Sequence, residues 1–142
     1  NIYDLQKQFE LSEKHYRAAL EINPDFVPAA NNLAYILADQ GKDINEALDL
    51  ARLAKEKLPD DPNVMDTLGW VYYKKGLYES AIGEFADCLE KRPENPTVIY
   101  HLGMAYYKKG DLENARAELE KALQLDENFN GAKEAKRVLA EL

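Results

Sequence analysis

The stretch LGWVYYKKG occupies residues 68–76, and LGMAYYKKG occupies residues 102–110. The two differ at two positions, and their starting points lie 34 residues apart. A chain that rewrites a nonapeptide at a fixed distance is building one unit more than once. Working outward from Leu68-Gly69, the walk passes Tyr72, Gly76, Ala81, Phe85 and Pro93. From Leu102-Gly103 the same walk passes Tyr106, Gly110, Ala115, Leu119 and Glu127. From Leu33-Ala34 it passes Leu37, Gly41, Ala47, Ala51 and Pro59, with one extra residue between Gly41 and Ala47. Residues 1–26 fit as the back part of a fourth unit, with Tyr3, Tyr16, Ala19 and Pro24 in register.

Each unit reads as two helices. Met65, Leu68, Val71 and Tyr72 keep the spacing of one helical face. Gly41, Gly76 and Gly110 stand where a helix must end and the chain reverse. The second helix carries small residues along one side, as in Ala47 with Ala54, Ala81 with Cys88, and Ala115 with Ala122. Pro24, Pro59 and Pro93 then end it, and Glu127 sets the last such boundary less firmly. One helix pair cannot bury its own apolar face, so stacked copies must bury each other's.

Leu-Gly-x-x-Tyr, Ala-x3-Phe and Pro at this spacing resemble the tetratricopeptide repeat. Residues 62–95 match best, with Met65 in place of the large aromatic expected there. The resemblance implies an all-α fold, a right-handed α-solenoid of antiparallel helix pairs. Its units are a truncated repeat at 1–26 and repeats at 27–61, 62–95 and 96–129. A capping helix follows at 130–142, with Ala135, Val138, Leu139 and Leu142 on its apolar side. The whole chain is then one solenoid domain, not an enzyme, and self-association through the N-terminal edge is expected of its exposed apolar side.

Hydrophobic residues make up 46% and charged residues 31%, with a net charge of −8. That balance opposes nucleic acid and an anionic membrane surface as partners, since both are bound by basic surfaces. No apolar run reaches the length of a membrane span. Cys88 is the only cysteine, which rules out an internal disulfide and fits an inert core thiol. The chain opens on Asn1 and is expected to be a piece of a longer protein, so no compartment is read from a leader.

In this family the outer stripe of the first helix lines a concave groove that holds the partner. Carried over place by place, the stripe comprises Pro28, Asn31, Asn32, Tyr35, Ala38 and Asp39 in the first full repeat. The next supplies Asn63, Asp66, Thr67, Trp70, Tyr73 and Lys74. The last supplies Thr97, Tyr100, His101, Met104, Tyr107 and Lys108. Aromatic anchors flanked by amides suit a peptide. Trp70 either anchors a ligand or packs on its neighbours. Asn32 either faces a ligand or ties helix to helix. A chaperone-tail clamp is not expected: Asn1 and Asn32 match its asparagines, but Asn63 and Thr67 stand where cations are needed.

No metal site or cofactor is suggested: His15 and His101 lie in different repeats, and the glycines are turn residues rather than a phosphate loop. Lys74-Lys75 and Lys108-Lys109 suit the C-terminal end of a helix dipole. The leading expectation is a module that binds a partner protein or peptide in the groove; a structural spacer or self-assembly segment is the alternative. RNA reading by a related helical repeat is opposed by the net charge and by the Leu-Gly-x-x-Tyr signature. Residues 31–82 also look like repeats of bacterial cell-envelope proteins associated with exopolysaccharide export and protein sorting, which places the parent at the envelope or in the cytoplasm of a bacterium.

Overall fold

The computed structural model describes residues 2–142, with side chains from Asp4 onward. Asn1 and the side chain of Tyr3 lie outside the described residues, and so do the places assigned to them above. The described chain is helical throughout, with no strand. Its elements are α1 (Ile2–Ile22), α2 (Val27–Gln40), α3 (Ile44–Lys57), α4 (Pro62–Lys75), α5 (Tyr78–Lys91), α6 (Pro96–Lys109), α7 (Leu112–Leu125) and α8 (Ala132–Glu141).

The punctuation works as its chemistry requires. Gly76 and Gly110 take φ of 88° and 96°, a left-handed backbone that ends α4 and α6 without a Cβ clash. The extra residue of the earlier repeat appears as a longer turn, where Asp43 also takes a positive φ of 48°. At the other helix ends Pro62 and Pro96 sit in the first turn, and Asp61 and Asn95 cap it. Asp61 accepts from the Asn63 amide at 2.8 Å, and Asn95 from the Thr97 amide at 3.0 Å. Phe26 holds the same place before α2 and supplies no cap.

Two segments depart from the strict repeat. Residues 2–22 form one helix of 21 residues, against 14 in α3, α5 and α7. Lys7 stands where the register would put a turn glycine, so nothing stops the helix. After α7, where Glu127 replaces proline, the connection runs from Asp126 to Gly131 and α8 starts two residues later than the register of α4 and α6 would put it. Phe129, 7% exposed, plugs that loop into the core, and Gly131 passes over the Tyr100 ring, where a Cβ would lie 2.7 Å from a ring carbon.

Within each pair, the small residue of the first helix receives a side chain from the second. A Cβ on Gly69 would lie 2.5 Å from the Phe85 ring, and one on Gly103 would lie 2.9 Å from Leu119. The corresponding residues of the earlier repeat are Ala34 and Ala51, both fully buried. Cys88 is 1% exposed, its thiol directed at the Pro62 carbonyl and pushed up to about 11 by burial.

Between pairs, successive first helices touch: α2 meets α4, α4 meets α6, and α6 meets α8. Successive second helices do not meet at the backbone. Long side chains bridge them instead, Arg17 to Glu46 at 2.7 Å and Lys55 to Glu84 at 2.9 Å. The stack therefore curves with the first helices inside and the second helices outside, which is an α-solenoid.

Candidate functional site

The concave face is the inner row of α2, α4 and α6. Place by place, the expected stripe divides into three sets. Pro28, Asn32, Asp39, Asn63, Lys74 and Lys108 are exposed. Asn31, Tyr35, Asp66, Tyr73, Thr97, Tyr100 and Tyr107 are half-buried. Ala38, Thr67, Trp70, His101 and Met104 are buried in the joints between helices.

The division has a geometric cause. The place held by Asn32, Thr67 and His101 points at the preceding first helix. Thr67 is covered by α2 and His101 by α4, whereas α2 has no first helix before it among the described residues. Trp70 is 8% exposed and belongs to the core, its ring stacked on Tyr73 at 4.9 Å and on His101 at 4.3 Å. Of the two roles open to it, the structure provides the packing one. His101 Nδ1 lies 2.8 Å from Asp66 Oδ1, joining α6 to α4, and Lys74 Nζ covers the indole face at 5.1 Å. Met104, 4% exposed, packs instead with Leu119, Phe129 and α8.

What remains open is a polar cleft of about 410 Å³ on the α2–α4 side, lined by Tyr16, Asn31, Asn32, Tyr35, Ile36, Asn63, Asp66 and Thr67. Asn31 Oδ1 is buried there with no hydrogen-bond partner, and so is Trp70 Nε1 in its joint. Burial, with the charges of Asp39 and Asp66, holds the Tyr35 phenol up at about 12, and burial does the same for Tyr100. Arg92 reaches Asn63 Oδ1 at 3.2 Å. At the other end, α8 adds Glu141, which accepts from the Tyr107 hydroxyl at 3.1 Å.

Tyr16 and Ile36 complete the cleft although neither belongs to the stripe. Tyr16 shares its register with the packing residues Phe85 and Leu119, and its half-exposed state follows from the open side of α1. An aromatic at a place otherwise filled by core residues was its only sequence signal. The paired lysines divide their roles: Lys75 bonds Asn45 at 2.7 Å and Lys109 pairs with Glu79, leaving Lys74 and Lys108 toward the groove. Among the described residues no helix is long and apolar enough to cross a membrane.

Repeated helix pairs stacked into a curved array, with one inner row left to contact something else, define an interaction scaffold. Family models described as tetratricopeptide repeat match residues 1–26, 15–49 and 67–132. The chain belongs to the tetratricopeptide-repeat family, whose members serve as protein–protein interaction scaffolds and bind protein partners. It is 39% identical over 64 residues to a TPR repeat-containing protein of Pseudomonas aeruginosa. That match takes in 45% of this chain and spans only 11% of the relative's length.

Among solved structures, a crystal structure of MamA aligns over 97% of this chain and 80% of its own, with a TM-score of 0.75 and 18% identity. A MamA fragment from Desulfovibrio magneticus aligns over 87% and 69%, with a TM-score of 0.74 and 19% identity. At such identities the likeness is one of fold. Both named organisms are bacteria, in keeping with the bacterial texture of the sequence. The expected link to envelope proteins of exopolysaccharide export finds no support in these matches.

Proposed function

We propose that the concave face holds an extended segment of a partner protein, with hydrogen bonds supplied at the α2–α4 cleft and contact area by Tyr73 and Tyr107. In this reading the building blocks are 27–61, 62–95 and 96–129, closed by 130–142. The supporting observation is the Asn31 carbonyl oxygen, buried without a donor in a cleft that opens on the groove. A buried acceptor left unpaired costs about 1–3 kcal/mol. A peptide N–H that reaches it recovers that cost, and the neighbouring Asn32 offers both donor and acceptor. Capture from a lysate tests the reading, with the chain and an Asn31→Ala/Tyr35→Ala variant as baits. A protein held by the first and lost by the second supports the groove. Equal recovery by two equally folded baits places the working surface elsewhere.

The spacer or self-assembly reading draws on a different observation. Leu5 and Leu11 of α1 are each 51% exposed, and Leu5 and Phe9 line an open cleft against Gln40 and Lys42. Sedimentation at rising concentration separates the two readings. Association that Leu5→Glu abolishes favours self-assembly; a monomer at every concentration removes it.

A further inference from the structure

We infer that the α2–α4 cleft takes a positively charged side chain of the partner segment, a lysine or an arginine. This rests on the groove reading and adds the chemistry of the occupant. Asp66 is the one charged residue among those that line the cleft, with Oδ1 held by His101 at 2.8 Å and the carboxylate 21% exposed. Asp39, exposed at the end of α2, reaches the Tyr35 phenol with its field, as Asp66 does.

The remaining lining asks for donors. Asn31 Oδ1 is a buried acceptor with none, and Thr67, 4% exposed, adds a hydroxyl that no other described residue engages. Tyr16 and Tyr35 add aromatic rings to the lining, and the face of such a ring attracts cations. Of the chain's own cations, Arg92 meets the lining only at Asn63, to which it donates at 3.2 Å, and Lys74 lies over Trp70 at 5.1 Å.

A cationic head group brings several donors and one compensating charge to this site. A carboxylate would meet the charge of Asp66, and the guanidinium at the rim, Arg92, is already bonded to Asn63. The net charge of −8 steers the same class of partner toward the surface.

The test uses short labelled peptides on one Gly-Ser-Ala framework, carrying three arginines, three glutamines or three glutamates, titrated by anisotropy at physiological salt. The arginine peptide is expected to bind at least about tenfold tighter than the other two. Asp39→Asn, which removes charge without breaking a bond, and Asp66→Asn should each weaken it at least about threefold. Glu120→Gln, the same charge change on the exposed side of α7, should leave it unchanged. Equal loss with Glu120→Gln reduces the effect to bulk charge and overturns the inference. Preference for the glutamine or glutamate peptide, abolished by Tyr35→Ala, keeps the groove and overturns the cationic occupant. Binding that Tyr35→Ala leaves untouched, or no binding by any peptide, overturns the groove reading and this inference together.

Discussion

The α2–α4 joint and the α4–α6 joint are built from the same register and end in opposite states. Between α2 and α4, the small Ala38 stands at the groove-facing place, and the polar Asn31, its Oδ1 unpaired, lines the cleft beside it. Between α4 and α6, Trp70 and His101 fill the gap, and Asp66 ties them. The groove-facing place is thus recruited into packing at Trp70 and His101, while Tyr35, Tyr73 and Tyr107 stay half-buried and Asn32 and Asn63 exposed. Amide-rich places, more than aromatic ones, mark the free part of this groove.

The comparison breaks first at its largest residues. Phe85→Ala removes the ring seated against Gly69 and should cost about 3–5 kcal/mol in urea unfolding. Trp70→Ala should cost about 3 kcal/mol for the same reason, while Asn32→Ala at an exposed place changes stability by less than about 0.5 kcal/mol. Equal effects from those two would erase the distinction between the joints.

The Ala34–Ala51 pair sharpens it. Ala51→Phe, which copies Phe85 into a site whose partner has a Cβ, should cost about 2 kcal/mol by overpacking, with Ala34→Gly recovering about half. Failure of that rescue would contradict the equivalence of the two pairs. Gly83 lies in α5 with nothing within 4 Å of an added Cβ, so Gly83→Ala should stabilise by about 0.5–1 kcal/mol in a melt.

The smallest effect concerns α1. Lys42 and Arg17 hold the Glu13 carboxyl below its ordinary value, and Arg17 does so for Glu46. A carboxyl lowered in the folded state adds stability above its unfolded-state value and loses it as pH falls through the folded one. Acidification below about pH 4.5 should therefore weaken this end, by less than about 1 kcal/mol because the pairs are partly exposed. Glu46→Gln should flatten that part of an acid titration; an unchanged titration would show the pair contributes nothing.

The helix pairs were legible because their stops are local: a turn glycine and a first-turn proline in each, with an acidic or amide cap before α4 and α6. The long α1 escaped because its signal is a missing glycine at Lys7, and the late start of α8 because Glu127 removes the proline. The site was legible only as a stripe. Helical spacing says which residues share a face, but which of them a neighbouring repeat will cover depends on side-chain size one unit away. Trp70 and Asn31 therefore looked alike from the sequence, and Tyr16 was placed by its register alone.

The outer salt bridges and the inner contacts together give the array a directional stiffness. The first helices bear on one another like the knuckles of a hinge, while the second helices stand apart, joined by the Arg17–Glu46 and Lys55–Glu84 ties. Tightening the curve stretches ties that are already at contact distance. Flattening it only folds flexible side chains into the gap. The solenoid therefore yields toward a wider groove and resists a narrower one, a spring with a stop on one side.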